Sequence, residues 1–295
     1  MKSPVFVLTG PTGVGKTLVA LELAEHFSFE IIGADSLQIF RHLDVGTAKP
    51  SVELRKNIPH HLIDALDPDE EANAFWYARE AQALVREIHA RKKFPLVVGG
   101  AGFYLRALEH PPVAPPHHTI EIESLAEAHA RIQLEDPESA ARIHPNDRYR
   151  ISRAISLLTA GQKPSEIWKE TLEQESPFDF VWLGIQMDRP LLYEAINTRL
   201  DEMFASGLLD ETDRVRRTYP KALPRLQKAI GYRQALGILT NEIPLARGIE
   251  VAKQASRNYA KRQLTWLRRD PRIQWVPRGG AVTKMIESIQ RALPA

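Results

Sequence analysis

Gly10-Pro11-Thr12-Gly13-Val14-Gly15-Lys16-Thr17 is the stretch of the sequence that decides the fold. It has glycine at its first and sixth positions, followed by lysine and threonine, which is the pattern of a phosphate-binding loop. Glycines allow backbone amides to surround phosphate oxygens, and the following helix presents its positive N-terminal end. Lys16 would add a point charge, and the Thr17 hydroxyl is placed to bind Mg²⁺. The loop follows an apolar run and opens a helical pattern, so a chance glycine-rich turn is the weaker interpretation.

Short apolar runs and helical patterns alternate along the chain around this loop. The helical patterns cover Lys16–Phe27 and Phe75–Arg91, and such alternation indicates βαβ units. The runs are apolar throughout rather than at every second position, which is typical of a parallel sheet covered on both faces. The predicted fold class is therefore α/β, with helices flanking a parallel sheet. The predicted strands are Pro4–Leu8, Phe29–Ala34, Pro95–Val98 and Phe180–Ile185.

A proline cluster at residues 111–116 predicts a stiff linker that leaves this core. A helical stretch then runs to about Leu134, and Asp136-Pro137 has the residues of a helix cap and first turn. A third helix is predicted from about Asn146 to Ala160, where Gly161 stops it. We therefore expect an all-helical insertion and an α/β core in two parts, which are residues 111–177 and residues 1–110 with 178–295.

The chain becomes helical again from Pro190, and Gly207 is predicted to end that helix. Its apolar face is predicted to carry Leu191, Ile196, Leu200 and Met203.

Composition excludes several classes of protein. No run of about 18 or more apolar residues is present, so no transmembrane helix is predicted. The chain has no cysteine, which removes disulfides, thiol catalysis and cysteine-based zinc sites. The absence of cysteine also fits a reducing cytosol. We therefore expect a cytoplasmic protein with no membrane partner.

The charge of the chain is unevenly distributed. The net charge is only +2, but residues 214–272 hold 15 Lys/Arg and 3 Asp/Glu, a net of +12. This segment is either a solvated helical surface or a site for a polyanion, and the missing i,i+4 acidic partners favour the polyanion. Four cations fall within about 80° on a helix, namely Lys253, Arg257, Lys261 and Arg268, with Arg262, Trp266 and Arg269 beside them.

The loop alone does not identify the reaction. Enzymes that hydrolyse nucleoside triphosphates usually carry an aspartate at the end of an apolar strand, where it helps to hold Mg²⁺. The candidate strand here ends in Gly99-Gly100, and the carboxylate follows the second strand instead, as Asp35. Because strand ends line the crevice of a parallel sheet, Asp35 is expected near the phosphates. It is then either a general base or a helix N-cap, and the residues alone leave both interpretations open.

Eight segments form an ordered set across nearly the whole chain. They are residues 10–17, Ala-Asp-Ser-Leu-Gln (34–38), Gly-Thr-Ala-Lys-Pro (46–50), Pro-His-His-Leu-Ile-Asp (59–64), Val-Gly-Gly-Ala-Gly-Phe-Tyr (98–104), His-Pro-Asn-Asp (144–147), Ala-Ile-Gly-Tyr-Arg (229–233) and Tyr-Ala-Lys-Arg-Gln-Leu-Thr-Trp (259–266). In this order they resemble the tRNA dimethylallyltransferase family, of the bacterial type without a zinc finger. Each segment except the first is weak alone, and together they are highly specific.

The resemblance implies a P-loop α/β fold and a prenyl transfer. A dimethylallyl group would pass from its diphosphate to the exocyclic amine of the adenine on the 3′ side of the tRNA anticodon, giving isopentenyladenosine. Residues 10–17 would hold this diphosphate rather than ATP, which fits the missing strand-end carboxylate. Asp35 would be the general base, and Arg199 matches an arginine near the diphosphate. Lys16, and Thr17 with Mg²⁺, would stabilise the leaving group.

The resemblance also implies contacts with the anticodon arm of tRNA. The target base is expected to flip out, because its amine must reach a pocket. The helical insertion matches a mobile domain of the family that closes on the anticodon stem, and we expect a monomer whose partners are tRNA and dimethylallyl diphosphate. The residues implied in tRNA binding are Asp35, Ser36, Leu37, Gln38, Ala101, Tyr149, Arg150, Ile151, Ser152, Arg153, Lys228, Ala229, Ile230, Gly231, Tyr232, Arg233, Lys261, Arg262 and Gln263.

Three features depart from the family pattern. Ala101 stands where the family usually has threonine, so one polar contact is absent or replaced. Phe40 stands where tyrosine is common, which removes a hydroxyl but keeps the ring. The segment between Glu109 and Leu125 is shorter and richer in proline and histidine than usual. These departures leave the loop and Asp35 intact.

Two other functions compete with this one. A small-molecule or nucleoside kinase would use the same loop, but Gly99-Gly100 and the basic segment argue against it. A non-catalytic RNA-binding protein with a degenerate loop is disfavoured by the intact Lys16, Thr17 and Asp35.

Some histidine and aromatic residues have open roles. His60 and His61 with Asp64 suggest a metal site, but a structural role is favoured because adjacent histidines point in different directions. His117-His118 are expected to be solvated in the linker. For Trp76, Tyr77, Phe103 and Tyr104, lining of a prenyl channel and core packing are both open.

Overall fold

The computed structural model of the protein describes residues 3–114, 120 and 122–293. One parallel sheet of six strands lies at its centre. The strands are β1 (Pro4–Thr9), β2 (Phe29–Ala34), β3 (His60–His61), β4 (Phe94–Gly99), β5 (Asp179–Gln186) and β6 (Gln274–Pro277). Their order across the sheet is β3-β2-β4-β1-β5-β6, and every pair is parallel. The predicted α/β class is therefore confirmed.

The four predicted strands are confirmed to within a residue or two at each end. Strands β1 and β2 are buried at every position, as the uninterrupted apolar runs indicate. Sequence analysis missed β3 and β6, the two edge strands. They have two and four residues and only partial burial, so they carry no apolar run that could be recognised.

Helices cover the sheet and connect its strands. Those before the proline cluster are α1 (Lys16–His26), α2 (Val52–Asn57), α3 (Ala74–Ala90) and α4 (Gly102–Glu109). Those between β4 and β5 continue with α5 (Leu125–Glu135), α6 (Pro137–Arg142), α7 (Arg148–Thr159) and α8 (Pro164–Glu173). After β5 come α9 (Arg189–Ala205), α10 (Leu208–Thr218), a 3-10 turn (Pro220–Ala222), α11 (Leu223–Leu226), α12 (Tyr232–Leu239), α13 (Leu245–Leu267) and α14 (Ala281–Ala292).

Two separate apolar clusters form the core. The larger one surrounds the sheet, and the smaller one joins α5 to α7 around Ile132 and Ile151, both fully buried. Asp136 caps α6, as predicted, and one of its carboxylate oxygens also accepts from the Ser165 amide at 2.8 Å. Pro115, Pro116 and His117-His118, part of the predicted linker, lie outside the described residues.

The apolar face of α9 differs from the prediction by one position. Leu191 is 56% exposed, whereas Leu192 is 2% exposed and packs in the main core. The buried residues of the helix are Leu192, Ile196, Leu200 and Met203, whose spacing of four, four and three matches one helical face. Gly207 follows the end of the helix with φ 99°, a conformation that favours glycine.

Within the described residues, no helix combines the length and the apolar character that crossing a bilayer requires.

Candidate active site

The phosphate-binding loop lies between the end of β1 and the start of α1. Gly10, Gly13 and Gly15 all have positive φ, and a Cβ on Gly10 would lie 2.7 Å from the Ile185 carbonyl oxygen. Helix α1 begins after Gly15 with no side-chain cap, so amides of its first turn are available to an anion. The Lys16 ammonium donates to the carbonyl oxygens of Gly10 and Pro11 at 3.0 and 2.9 Å, and therefore lies over the loop.

A glycine run after β4 brings α13 against the loop. A Cβ on Gly99 would lie 2.1 Å from the Ala34 carbonyl oxygen, so this strand end has no room for the carboxylate that NTP hydrolases place there. A Cβ on Gly100 would lie 2.4 Å from the Gln263 amide nitrogen. Gln263 uses this closeness, because its side chain donates to the Gly100 carbonyl oxygen at 3.0 Å and accepts from the Thr12 amide at 2.8 Å.

Asp35 follows β2, next to the loop in the sheet's crevice. Its Oδ1 accepts from the amides of Leu37 and Gln38 at 2.9 and 3.3 Å and so caps a turn. The alternative prediction of a helix N-cap is wrong, since the next helix begins only at Val52. The second carboxylate oxygen receives no hydrogen bond from the described residues. One oxygen therefore organises the turn while the other remains available to a ligand.

Arg199 reaches the loop from α9. Its guanidinium nitrogens lie 3.5 Å from the Thr12 hydroxyl and 3.3 Å from the Thr47 carbonyl oxygen. Its Nε is buried and has no partner among the described residues. A buried donor without an acceptor is costly, which indicates that this arginine is arranged to meet an anion.

The electrostatics of the site are centred on Asp35. Burial, followed by the nearby charge of Arg199, lowers the pKa of Lys16 to about 8, and the charge of Asp35 opposes this shift. Burial also lowers the pKa of Arg199, and the negative charge of Asp35 opposes this shift as well. Burial and the charge of Asp35 raise the pKa values of Tyr104 and Tyr259 to about 12, so both phenols keep their protons at neutral pH. Two crowded cations next to one carboxylate would be relieved by a further anion.

A cavity of about 630 Å³ is lined by Asp35, Arg199, Tyr104 and Tyr259, whereas Lys16 lies outside its wall. Its wall includes nine of the residues predicted to act at the site, which are Thr12, Asp35, Ser36, Leu37, Arg199, Lys228, Ala229, Ile230 and Arg262. Its apolar wall includes Phe40, Ile196, Leu200 and Met203. The structure thus brings the loop, the carboxylate and part of the basic segment to one opening.

Other predicted tRNA-binding residues are placed differently. Tyr232 and Ile151 are fully buried, in the main core and in the smaller cluster respectively, so their side chains have no surface that RNA could touch. Ser152 is 8% exposed and donates to the Ile120 carbonyl oxygen. Gln263 is equally buried and binds the loop, as described above. These four side chains are therefore not accessible to RNA in this conformation, and their part in tRNA binding stays a prediction.

The remaining predicted contacts lie outside the cavity wall. Gln38 donates to the Thr47 carbonyl oxygen at 3.0 Å, and Ala101 precedes α4. Gly231 has φ 89° and precedes α12. Tyr149 on α7 is 70% exposed. The others are exposed or half-buried surface residues, namely Arg150, Arg153, Arg233 and Lys261.

The basic face of α13 divides into two parts. Lys253 pairs with Asp201 of α9 at 2.8 Å, and Arg257 donates to Asn197 of the same helix at 2.6 Å. These partners were missed because they come from a neighbouring helix rather than from i,i+4 positions. The other cations, Lys261, Arg262, Arg268 and Arg269, are exposed and form no ion pair within the described residues.

The histidine pair has structural contacts. His61 Nε2 lies 2.7 Å from the buried carboxylate of Glu30, and His60 Nδ1 lies 2.7 Å from the Ile58 carbonyl oxygen. Asp64 is paired with Lys49 and Arg55. These contacts fit the favoured structural role of the histidines.

The four aromatic residues with open roles differ in whether they pack in the core, line the cavity or lie exposed. Tyr77 is fully buried and stacks on Tyr104 at 4.2 Å between ring centroids, and Tyr104 lines the cavity. Trp76 packs against the main core, whereas Phe103 is 75% exposed.

Sequence reasoning missed several residues of the site. Thr47 and Tyr259 line the cavity, and they belong to two of the eight ordered segments, residues 46–50 and 259–266. Arg225 lies within the basic segment; it stacks over the Phe40 ring at 3.6 Å and donates to the carbonyl oxygens of Pro68 and Glu70. Nothing in the sequence distinguishes this arginine from its exposed neighbours.

The chain matches a known protein family along most of its length. A family model described as IPP transferase matches residues 38–270, and one described as Isopentenyl transferase matches residues 3–66. The chain is 41% identical to a tRNA dimethylallyltransferase of Koribacter versatilis (strain Ellin345), covering 94% of each chain. It is 40% identical to one of Geobacter sulfurreducens (strain ATCC 51573 / DSM 12127 / PCA), covering 93% of this chain and 92% of the other.

Solved structures are similar over the same length. A tRNA delta(2)-isopentenylpyrophosphate transferase from Staphylococcus epidermidis superposes with a TM-score of 0.74 and 31% identity, covering 99% of this chain and all of the other. A eukaryotic dimethylallyltransferase acting on tRNA superposes with a TM-score of 0.85 and 28% identity, covering 98% of this chain and 77% of the other.

Affinity for a diphosphate monoester is expected to fall as pH rises through about 8, where Lys16 loses its proton. Below this pH the ammonium is charged and affinity stays level, whereas above it binding requires proton uptake and affinity falls by up to about tenfold per pH unit. Calorimetric titrations between about pH 6.5 and 9.5 measure this dependence. Lys16→Met should bind the diphosphate weakly and show no fall in affinity near pH 8. If the affinity of the unaltered protein does not change with pH, Lys16 is not the group that titrates.

Proposed function

The chain belongs to the IPP transferase family, and on that premise we propose that it transfers a dimethylallyl group from dimethylallyl diphosphate to tRNA. The acceptor is the exocyclic amine of the adenine on the 3′ side of the anticodon, and the product is isopentenyladenosine. The observation that carries the proposal is one cavity that joins the phosphate-binding loop, Asp35 and cations of the basic segment.

In the proposed transfer, the amine nitrogen attacks the allylic carbon and the bond from that carbon to the diphosphate oxygen breaks. Asp35 takes the amine proton through the carboxylate oxygen that does not cap the turn. The diphosphate leaves with its electron pair and negative charge. Lys16, Arg199 and the amides of residues 10–17 stabilise that charge in a pocket made before the substrate arrives.

Magnesium fits this arrangement through oxygen ligands. Thr17 lies in the first turn of α1, and its hydroxyl has no hydrogen-bond partner among the described residues. It would hold Mg²⁺ together with the oxygens of the diphosphate. The ion would supply further positive charge to the leaving group.

The tRNA partner is supported by the position of the exposed cations. Arg262 lines both the cavity and a surface groove with Lys261, Trp266 and Arg269. A phosphate backbone on this groove would place a flipped adenine at the opening that leads to Asp35. The helices α5 to α8 would then close on the anticodon stem with the exposed Tyr149 and Arg150. The proposal includes a monomer acting in the cytoplasm, where tRNA is found.

A direct test incubates the protein with dimethylallyl diphosphate, Mg²⁺ and unmodified tRNA that has adenine after its anticodon. Mass analysis of the digested nucleosides should detect isopentenyladenosine. A tRNA with guanine at that position is the matched control and should stay unmodified. Intact tRNA after incubation with folded protein and intact donor would contradict the proposal, and ATP consumption with a nucleoside acceptor would support a kinase instead.

Asp35→Asn should separate the capping role from the proposed base. The asparagine oxygen can still accept from the amides of Leu37 and Gln38, but the amide cannot take a proton. We expect kcat to fall by about 10²–10⁴-fold, with tRNA affinity within about twofold of the original. Single-turnover assays and filter binding measure the two quantities. Asp35→Ala, which loses both roles, is the comparison, and an equal loss of binding and transfer in Asp35→Asn would rule out a mainly catalytic role.

Charge reversal at Lys261 and Arg262 should weaken tRNA binding and flatten its dependence on salt. Each lost phosphate contact lowers the slope of log affinity against log salt by about one unit. Titrations at several salt concentrations measure this slope. Lys284→Glu, on the exposed side of α14, makes the same charge change elsewhere and should leave the slope unchanged. A slope that is also unchanged in the α13 variants would remove this helix from the interface.

A further inference from the structure

Glu211 of α10 is a buried carboxylate outside the cavity wall, with 2% of its surface exposed. Its Oε2 accepts from the amides of Asp44 and Val45 at 2.9 and 2.8 Å. Its Oε1 accepts from the Gly46 amide at 3.0 Å and from the Tyr232 hydroxyl at 2.7 Å. Four donors therefore meet one carboxylate, and three of them are consecutive backbone amides. A buried charge satisfied in this way holds the backbone of its partners firmly.

The loop held by Glu211 leads directly to the site. Thr47 follows the three bound amides, and its carbonyl oxygen accepts from the Arg199 guanidinium at 3.3 Å and from the Gln38 side chain at 3.0 Å. Its hydroxyl donates to the Leu43 carbonyl oxygen at 2.6 Å, which closes the loop on itself. The position of this one carbonyl oxygen therefore affects the arginine near the loop and the glutamine after Asp35.

The fit between this loop and α12 leaves little room for movement. A Cβ on Gly46 would lie 2.5 Å from the Tyr232 ring, so only glycine allows the ring to pack here. Burial, followed by the charge of Glu211, raises the pKa of Tyr232 far above its usual value. The phenol therefore keeps its proton and always acts as a donor to Glu211.

We infer that Glu211 is a positioning residue for Arg199. Glu211 fixes the amides of residues 44–46, and these in turn fix the position of the Thr47 carbonyl oxygen. That oxygen orients the Arg199 guanidinium toward the diphosphate beside residues 10–17. The inference rests on the proposed function for the identity of that diphosphate. The four donors engage both carboxylate oxygens of Glu211, so this buried charge is satisfied without a cation beside it. Arrangements of this type keep a binding group within a few tenths of an ångström of its working position.

The test is a double-mutant cycle on the binding of inorganic diphosphate, measured by calorimetry with Mg²⁺ present. Glu211→Gln replaces one acceptor oxygen with an NH₂ group that faces amide donors, and should weaken binding by about tenfold. In the Arg199→Ala background the same change should alter affinity by less than about twofold, because the group that Glu211 positions is gone. Tyr232→Phe removes one donor only and should show the same pattern at about threefold.

Glu202→Gln is the matched control, since Glu202 is an exposed glutamate of α9 and should leave affinity unchanged. An equal loss in both backgrounds would show that Glu211 acts through the fold alone and would overturn the inference. No loss of affinity in a Glu211→Gln variant that melts normally would overturn it as well. If Glu211→Gln does not fold, Tyr232→Phe in the two backgrounds decides by the same criterion. Because binding of inorganic diphosphate needs no prenyl acceptor, a failure of the proposed transfer would appear separately, as unmodified tRNA with the unaltered protein.

Discussion

The two hydrogen bonds of the Gln263 side chain connect the parts of the site that the sheet leaves apart. One holds the Thr12 amide of the phosphate-binding loop, and the other holds the Gly100 carbonyl oxygen at the end of β4. Helix α13 comes close enough to form them only because glycine occupies positions 100 and 102, where a Cβ would collide with Gln263 and Trp266. The glycine run therefore serves helix packing rather than phosphate binding. The metal-binding carboxylate of NTP hydrolases has no room at the end of β4 for a separate reason, since a Cβ on Gly99 would lie 2.1 Å from the Ala34 carbonyl oxygen of β2.

Electrostatic crowding accounts for most of the chemistry expected of the cavity. Lys16 and Arg199 are both partly removed from water, and each lowers the stability of the other's charge, while Asp35 offsets part of that cost. A diphosphate would neutralise the two cations and leave the carboxylate free to receive a proton. The two phenols that face Asp35 stay protonated, so they add donors but no further negative charge. Binding of the donor and activation of the base thus depend on the same small set of charges.

The sequence predicted the sheet well because its central strands are continuous apolar runs, and it predicted the loop because glycine, lysine and threonine at fixed spacing have few other uses. It failed where a residue's role depends on a neighbour distant in the chain. Lys253 has an acidic partner on α9, Tyr232 is a core residue, and Glu211 is an acidic residue whose three amide partners lie in a loop more than 160 positions earlier. Residue type and spacing identify one partner of such a contact but not the partner that lies far away in the sequence. The same reasoning misplaced the face of α9 by one residue, since Leu191 and Leu192 are equally apolar and only packing distinguishes them.

The bond between the Thr12 amide and Gln263 joins positions separated by 251 residues, and the contact of Arg199 with Thr12 spans 187. Synthesis of the phosphate-binding loop therefore precedes that of the side chain that holds it in shape by 251 residues. Throughout that interval a growing chain carries the motif without the bonds that organise it. The pocket can form only after α13 has been translated. A chain that ends before α13 therefore has the sequence motif of the site but not its geometry.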